Sequence, residues 1–318
     1  MSIEESNEFV ADPSLKVDHV QLKVSNLKDS IDFYQSILGF GVLEDKSNGD
    51  IVHLRPSESK KGNSPSLLVL NQIKNGRDAY GVDRVRSREA GLYHFAILLP
   101  ERKYLGSFLS HIQSNLDPQF YEGMADHAVS ESIYLHDPDH NGIEVYRDRK
   151  ASEWKWVGEN KVNMVTEPLD VKNLLKENGN EKWDGMPAQT SIGHIHLHVS
   201  NLGKAKKFYH QSLGLYHTAS YPGAYFFAAD GYHHHVATNT WIGTNIPRNS
   251  ANDLAKPGLD HYAIRVTGDN VDLNNLKIHL SKNGITVDED MDNSDNHHDS
   301  SFYVYDPDGI KIQILWSK

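Results

Sequence analysis

Val17-Asp18-His19-Val20-Gln21-Leu22-Lys23-Val24-Ser25-Asn26-Leu27 returns in the second half of the chain as Ile192-Gly193-His194-Ile195-His196-Leu197-His198-Val199-Ser200-Asn201-Leu202. The register continues without a gap, from Phe33-Tyr34 and Leu38-Gly39 to Phe208-Tyr209 and Leu213-Gly214. Such a repeat is one supersecondary unit used again. In the first copy Val17, His19, Gln21 and Lys23 alternate with Asp18, Val20, Leu22 and Val24, which predicts a strand with one face on a core. Ser25 or Asn26 is placed to cap a helix whose apolar positions are Leu27, Ile31, Tyr34 and Leu38, and Gly39 closes it. Strand-like runs follow at 40–44, 50–55 and 66–70, so the unit reads βαβββ. Each copy carries a histidine, His19 or His194, at the same point of its opening strand. Histidines at equivalent points of a β-scaffold suggest a metal site or the remains of one.

Two further stretches follow the same plan. Leu92-Tyr93-His94-Phe95-Ala96-Ile97-Leu98-Leu99 opens one of them. A helix at 104–116 and terminal strands at 132–136 and 142–147 follow. Asp137-Pro138-Asp139-His140-Asn141-Gly142 has the composition of a tight turn between those strands. Leu259-Asp260-His261-Tyr262-Ala263-Ile264 opens the other, and Tyr305-Asp306-Pro307-Asp308-Gly309 leads into its last strand. The order is A (17–75), B (91–148), A′ (191–243) and B′ (258–317). The stretches 17–148 and 191–317 are thus two module pairs along the chain. Residues 149–190 form a connector, with a short helix expected at 171–177.

The 318 residues are enough for two ordinary cores. A net charge of −11 and a pI near 5.9 argue against nucleic acid and against an anionic membrane surface. No apolar run has the length of a membrane span, and the acidic start of the chain is unlike a secretory signal, so a cytoplasmic location is expected. With no cysteine, disulfides, iron–sulfur clusters and thiolate nucleophiles are excluded, and any metal must rely on imidazoles and carboxylates. Histidine is the compositional outlier at 19 copies.

The module plan resembles the vicinal-oxygen-chelate superfamily, which includes glyoxalase I, the bleomycin- and fosfomycin-resistance proteins and the type I extradiol dioxygenases. The resemblance covers most of 17–148 and 191–317 and implies an α+β fold, with four βαβββ modules pairing into two cupped mixed β-sheet barrels around a divalent metal. Four modules in one chain are most similar to a catechol 2,3-dioxygenase type. In that superfamily the metal ligands are an opening-strand histidine and a glutamate on the last strand of a B-type module. The opening-strand histidines here are His19, His94, His194 and His261. Glu144 stands at the glutamate position of B. Gln313 stands there in B′, where a neutral amide is a poor ligand. His19 and His261 are read as relics of a site or as ligands of a weaker one.

The third ligand beside His94 and Glu144 depends on how the modules pair. If A pairs with B it is His19, and if B pairs with A′ it is His194. The resemblance also implies a catalytic histidine in a His-x-Val-Ala pattern on the last strand of the A-type module. His234-His235-Val236-Ala237 supplies that pattern in A′, whereas Ser66-Leu67-Leu68-Val69-Leu70 lacks it in A. Only the B–A′ pairing unites His94, Glu144, His194 and His234, and it is the one expected. The resemblance further places Tyr134 as a catalytic tyrosine, with His127 and His196 lining the substrate pocket.

Two imidazoles and one carboxylate leave open positions on Fe(II), and they suit Mn(II) as well. The implied activity is Fe(II)-dependent extradiol cleavage of a small aromatic diol, a catechol, by O₂ to a muconic semialdehyde. His234 would act as general base and Tyr134 as hydrogen-bond partner of the catechol oxygen. A glyoxalase-like isomerase or lyase and a drug-sequestering binding protein are the rivals. The first needs a second glutamate that neither Leu68–Leu70 nor His233–His235 supplies, and the second needs no ligand set. His53, His111, His198, His210, His217 and His279 read as ordinary core or surface residues, and His297-His298 and the 84–89 charge run as solvated loop. The segments 221–227 and 241–248 carry no readable code for ring substituents, and the sequence leaves homo-oligomer formation open.

Overall fold

The computed structural model describes residues 9–43, 49–57, 65–73, 88–178, 181–249, 256–268, 273–289 and 300–317. Glu44, residues 84–87 of the charge run and His297-His298 lie outside the described residues. Module A comprises β1 (Lys16–Val24), α1 (Leu27–Ser36), β2 (Phe40–Leu43), β3 (Ile51–Pro56) and β4 (Leu68–Gln72). Module B comprises β5 (Gly91–Leu98), α2 (Arg102–Asn115), β6 (Tyr121–Asp126), β7 (Ser130–His136) and β8 (Gly142–Asp148). The connector holds a small hairpin, β9 (Trp156–Gly158) and β10 (Lys161–Val162), and α3 (Val171–Asn178), close to the helix expected there.

Module A′ runs through β11 (Ser191–His198), α4 (Leu202–Lys206) with a π-type continuation over Lys207–Ser212, β12 (Tyr216–Tyr221), β13 (Ala224–Ala228) and β14 (Val236–Asn239). Module B′ runs through β15 (Gly258–Thr267), α5 (Leu273–Lys282), β16 (Val287–Glu289), β17 (Ser300–Tyr305) and β18 (Lys311–Ser317). The last strand of A′ begins later than the sequence pattern suggests. His233, His234 and His235 sit in the bends before β14, because the backbone leaves a turn at Asp230-Gly231, both at positive φ, before it can extend.

The strands form two eight-stranded mixed sheets, so the α+β architecture of paired βαβββ modules is the one observed. One sheet has the order β12-β13-β14-β11-β5-β8-β7-β6 and joins A′ to B. The other has the order β16-β17-β18-β15-β1-β4-β3-β2 and joins B′ to A. Pairing is therefore crosswise along the chain: β11 lies antiparallel to β5 and β1 antiparallel to β15. His19 consequently belongs to the other sheet from His94.

Strand alternation sends Val20, Leu22 and Val24, Phe95 and Ile97, Ile195 and Leu197, and Tyr262 and Ile264 into one continuous apolar core that spans both sheets and the helices. The opposite pleat of the central strands carries the histidines. Asn26 caps α1, its side chain accepting from the Asp29 backbone N–H. Ser25 instead bonds Asp139 of module B through both its N–H and its hydroxyl. Gly39, at φ +79°, ends the helix where Gly185 passes so closely that a Cβ would lie 2.6 Å from its Cα. Among the described residues no helix is long and apolar enough to cross a membrane.

Candidate metal centre

Three neighbouring strands, β11, β5 and β8, bring one donor each to the same face. Register fixes this: Ala96 lies beside Glu144 in the parallel β5–β8 pair and beside His194 in the antiparallel β5–β11 pair. His94, two residues before Ala96, stands on the same pleat. Its neighbour on β8 is Gly142, where a Cβ would lie 2.0 Å from the Tyr93 carbonyl oxygen, so only glycine permits this approach of β8 to β5. Gly193 has a related role, since a Cβ there would strike the Tyr146 hydroxyl at 1.8 Å.

His94, Glu144 and His194 are 5, 2 and 1 % exposed, and one ligand atom of each lies within 4.8 Å of the other two. His194 Nε2 is 3.0 Å from Glu144 Oε2 in a hydrogen bond. His94 Nε2 is also 3.0 Å from that oxygen, but it is out of line for a hydrogen bond and has no other partner. Buried polar atoms seldom stay unpaired, so this nitrogen marks an interaction that protein groups do not supply. Ser132 Oγ donates to Glu144 Oε1 at 2.6 Å and fixes the carboxylate plane. Burial works to raise the Glu144 carboxyl, but the imidazoles, His194 foremost, outweigh it and hold the group well below the ordinary carboxylate range. Burial pushes the His194 imidazole down to about 4 against the pull of Glu144. At neutral pH, Glu144 is the anion of the cluster and His194 a neutral ring.

His234 packs against the cluster, its ring tilted and its centroid 4.0 Å from that of His194. Burial, followed by the neighbouring imidazoles His194 and His233, drives its pKa well below the ordinary histidine value, so it too is neutral. Tyr134 pairs with Glu144 across β7 and β8, and its ring lies 5.6 Å from that of His94. Its hydroxyl meets His127 Nε2 at 2.7 Å, while His127 Nδ1 lies 2.7 Å from the Val165 carbonyl. A carbonyl only accepts, so His127 carries its proton on Nδ1 and takes the Tyr134 proton on Nε2. Burial, then the Glu144 charge, pushes the Tyr134 phenol well above 10.

His196 faces His94 across the β11–β5 pair with ring centroids 5.0 Å apart. Asn239 Nδ2 reaches its Nε2 at 3.0 Å, and Tyr93, Trp241 and Phe226 pack around it within 5.0–5.9 Å. The structure thus brings all seven candidate residues to one face of one sheet.

Sequence reasoning passed over Ser132, Asn239, His233 and Asp148. Ser132 had a readable signal, since it stands two positions before Tyr134 and so on the same pleat. Asn239 shared that signal as the second residue after Ala237. His233 and Asp148 lie far apart in sequence and meet only through the β8–A′ contact.

The equivalent place in the other sheet differs in charge. His261 and Tyr303 repeat the arrangement of His94 and Tyr134, with ring centroids 5.5 Å apart, and Gln313 stands opposite both Ala263 and Tyr303. His19 and His261 each have Nδ1 bonded to the preceding aspartate, Asp18 at 2.8 Å and Asp260 at 2.7 Å. Among the described residues no three-ligand group forms there.

Comparison with known proteins agrees with this architecture. The family profile described as "Glyoxalase/Bleomycin resistance protein/Dioxygenase superfamily" matches residues 16–145 and 191–314. The catechol-2,3-dioxygenase of Bacillus subtilis (strain 168) is 39 % identical over 250 residues, which is 78 % of this chain and 81 % of that protein. Two crystal structures share the fold at low identity. A candidate dioxygenase from Bacillus subtilis subsp. subtilis str. 168 matches with TM-score 0.61 and 13 % identity, over 96 % of this chain and 86 % of its own. Glyoxalase I from Zea mays matches with TM-score 0.52 and 15 % identity, over 95 % and 92 %.

Proposed function

This chain belongs to the glyoxalase/bleomycin resistance protein/dioxygenase superfamily, and on that footing we propose that it is an extradiol dioxygenase that opens the ring of a catechol with O₂. We assign the metal to His94, Glu144 and His194, and favour Fe(II) over Mn(II). Two neutral imidazoles and one carboxylate are the donor set of non-haem Fe(II) oxygenases, and its single negative charge suits a dication with open positions. The unpaired Nε2 of His94, 3.0 Å from the carboxylate it does not bond, is the observation that carries the assignment. Bound there, Fe(II) would supply a Lewis acid for the diol and a redox partner for O₂.

The remaining work falls to the protein. His234, neutral and beside His194, is the base that accepts a proton from the diol. Tyr134 donates its own proton to His127, so it meets a substrate hydroxyl as an acceptor and orients it. His196, Tyr93, Trp241 and Phe226 present a wall of rings next to His94 against which a planar substrate packs.

Elemental analysis of the purified protein, with catechol ring opening followed spectroscopically under air, tests the reading. Iron and activity are expected together. His234→Phe should keep the metal and lose about 10²–10⁴-fold in kcat. A protein stripped of transition metal but fully active, or a fully active His234→Phe, would overturn it.

A further inference from the structure

Behind His234 runs a chain of hydrogen bonds in which each proton's position is dictated by the next partner. Asp148 Oδ1 lies 2.8 Å from His233 Nε2. His233 Nδ1 lies 2.8 Å from His234 Nδ1. The other oxygen of Asp148 accepts from the Tyr232 hydroxyl at 2.8 Å, and Tyr232 in turn contacts the Tyr146 hydroxyl at 2.9 Å. His233 is completely buried among Trp154, Tyr232 and Tyr146, with centroids at 5.1, 4.1 and 6.4 Å.

A carboxylate only accepts, so His233 must present N–H at Nε2. A neutral ring has one N–H, and here Asp148 claims it for Nε2. His233 Nδ1 is therefore a lone pair, and the contact between two Nδ1 atoms needs one donor and one acceptor. The donor is then His234 Nδ1–H. Among the described residues His234 Nε2 has no partner, which leaves it as the basic nitrogen of the ring.

We propose that Asp148 and His233 are positioning residues that hold His234 in its Nδ1–H tautomer and so make Nε2 its proton acceptor. This rests on the reading of His234 as base, although the tautomer itself does not. The two rings are locked together, because moving the proton on one forces the opposite move on the other. Asp148 is thus the single reference for both, as a buried carboxylate is for the histidine of a hydrolytic triad.

Asp148→Asn is the informative change. With the amide oxygen still accepting from Tyr232, the amide NH₂ faces His233 Nε2, which reverses His233 and then His234. Asp148→Glu retains an acceptor-only group. The ring-nitrogen NMR pattern of ¹⁵N-histidine-labelled, metal-free, full-length protein reports the tautomer, with the His234 signals identified by their loss in His234→Phe. Wild type and Asp148→Glu should show Nδ1–H, and Asp148→Asn should show Nε2–H. In the metal-loaded protein, Asp148→Asn should lose about 10²-fold or more in kcat, with metal content and KM little changed, as wrong-tautomer variants do. Nε2–H in the wild type, or Nδ1–H surviving in Asp148→Asn, overturns the proposal. An Nδ1–H pattern in a protein that never cleaves catechol would sink the dioxygenase reading and leave the tautomer assignment standing.

Discussion

Replacing Glu144 by Gln should make the metal-free protein more stable and the metal-loaded protein less stable than their wild-type counterparts. Glu144 is 2 % exposed and its carboxylate meets two donors, Ser132 Oγ and His194 Nε2. The charge of the imidazoles depresses Glu144 only while they are protonated, and at pH 8 the His194 ring, held at about 4, is neutral, so a buried anion stands without a counter-charge from it. The glutamine amide keeps the volume, removes the charge, and turns an NH₂ toward the two Nε2 atoms 3.0 Å away, one of which has no partner. Neutralising a buried charge while pairing an orphaned acceptor is worth about 1–3 kcal/mol, within the range seen when buried ions are replaced. For 318 residues, at about 2.1 cal/mol/K each, one kcal/mol moves Tm by about 1.5 °C, so a rise of about 1.5–4.5 °C is expected in chelator-treated protein. Adding Mn(II), or Fe(II) without air, at about 1,000 times Kd should add about 4.1 kcal/mol to the wild type and nothing to the variant. The melting order then inverts, which differential scanning fluorimetry at pH 8 reads directly. A metal-free Glu144→Gln protein that melts below the wild type, or one whose Tm still climbs with metal, would refute the placement of the anion at the heart of the site.

Two further outcomes test the framework around it. Gly142→Ala puts a Cβ 2.0 Å from the Tyr93 carbonyl, and because backbone must move, β8 should shift against β5, costing about 1–3 kcal/mol in denaturant melts and weakening metal binding. Glu131 is buried, which works to raise its carboxyl, but Arg102 and Arg147 outweigh burial and hold it below its usual value. A carboxylate so depressed stabilises the fold above its unfolded pKa of 4.5 and loses that contribution as pH falls through the folded value. Glu131→Gln should therefore cost about 3 kcal/mol at pH 7, and urea melts of the two proteins should converge in acid.

The repeat made the four modules readable, because strand alternation and helix spacing survive in each copy. His94, Glu144 and His194 were readable for the same reason, as each occupies a fixed step of a strand whose neighbours alternate. The pairing of modules was less accessible, since a strand edge does not name its partner; the choice rested on the histidines before Val236. Those histidines are not in a strand at all. The turn at Asp230-Gly231 delays β14 until Val236, and the bends before it let His233 and His234 meet side by side at Nδ1. Ser25 was read as a possible cap, but the acidic turn of another module competes for it and wins with two hydrogen bonds. Asp148 escaped notice because its importance lies in a contact 85 residues away in sequence.

The half of the chain without a ligand set still shapes the half that has one. Sheets join B to A′ and A to B′, but the acidic turns tie neighbours along the chain. Tyr34 on α1 donates to Asp137 Oδ2 at 2.9 Å, and Tyr209 of A′ donates to Asp306 Oδ2 at 3.0 Å. Asp137 is fully buried and its two oxygens also accept from the Asp139 and Asn141 backbone N–H groups and from the Asn141 side chain, at 2.8–2.9 Å. The turn so fastened opens directly into β8, whose third residue is Glu144. Losing Tyr34 would leave a buried carboxylate oxygen short of a donor, at a cost of about 1–3 kcal/mol borne by the very hairpin that sets the β5–β8 register. Module A therefore need not hold a metal to matter for one. Gln313 in place of a glutamate removes charge from the second cup, but the Tyr–Asp locks act through the Tyr34 and Tyr209 hydroxyls on Asp137 and Asp306, not through that side chain. A change confined to the cup leaves the locks, and hence the geometry of His94, Glu144 and His194, intact.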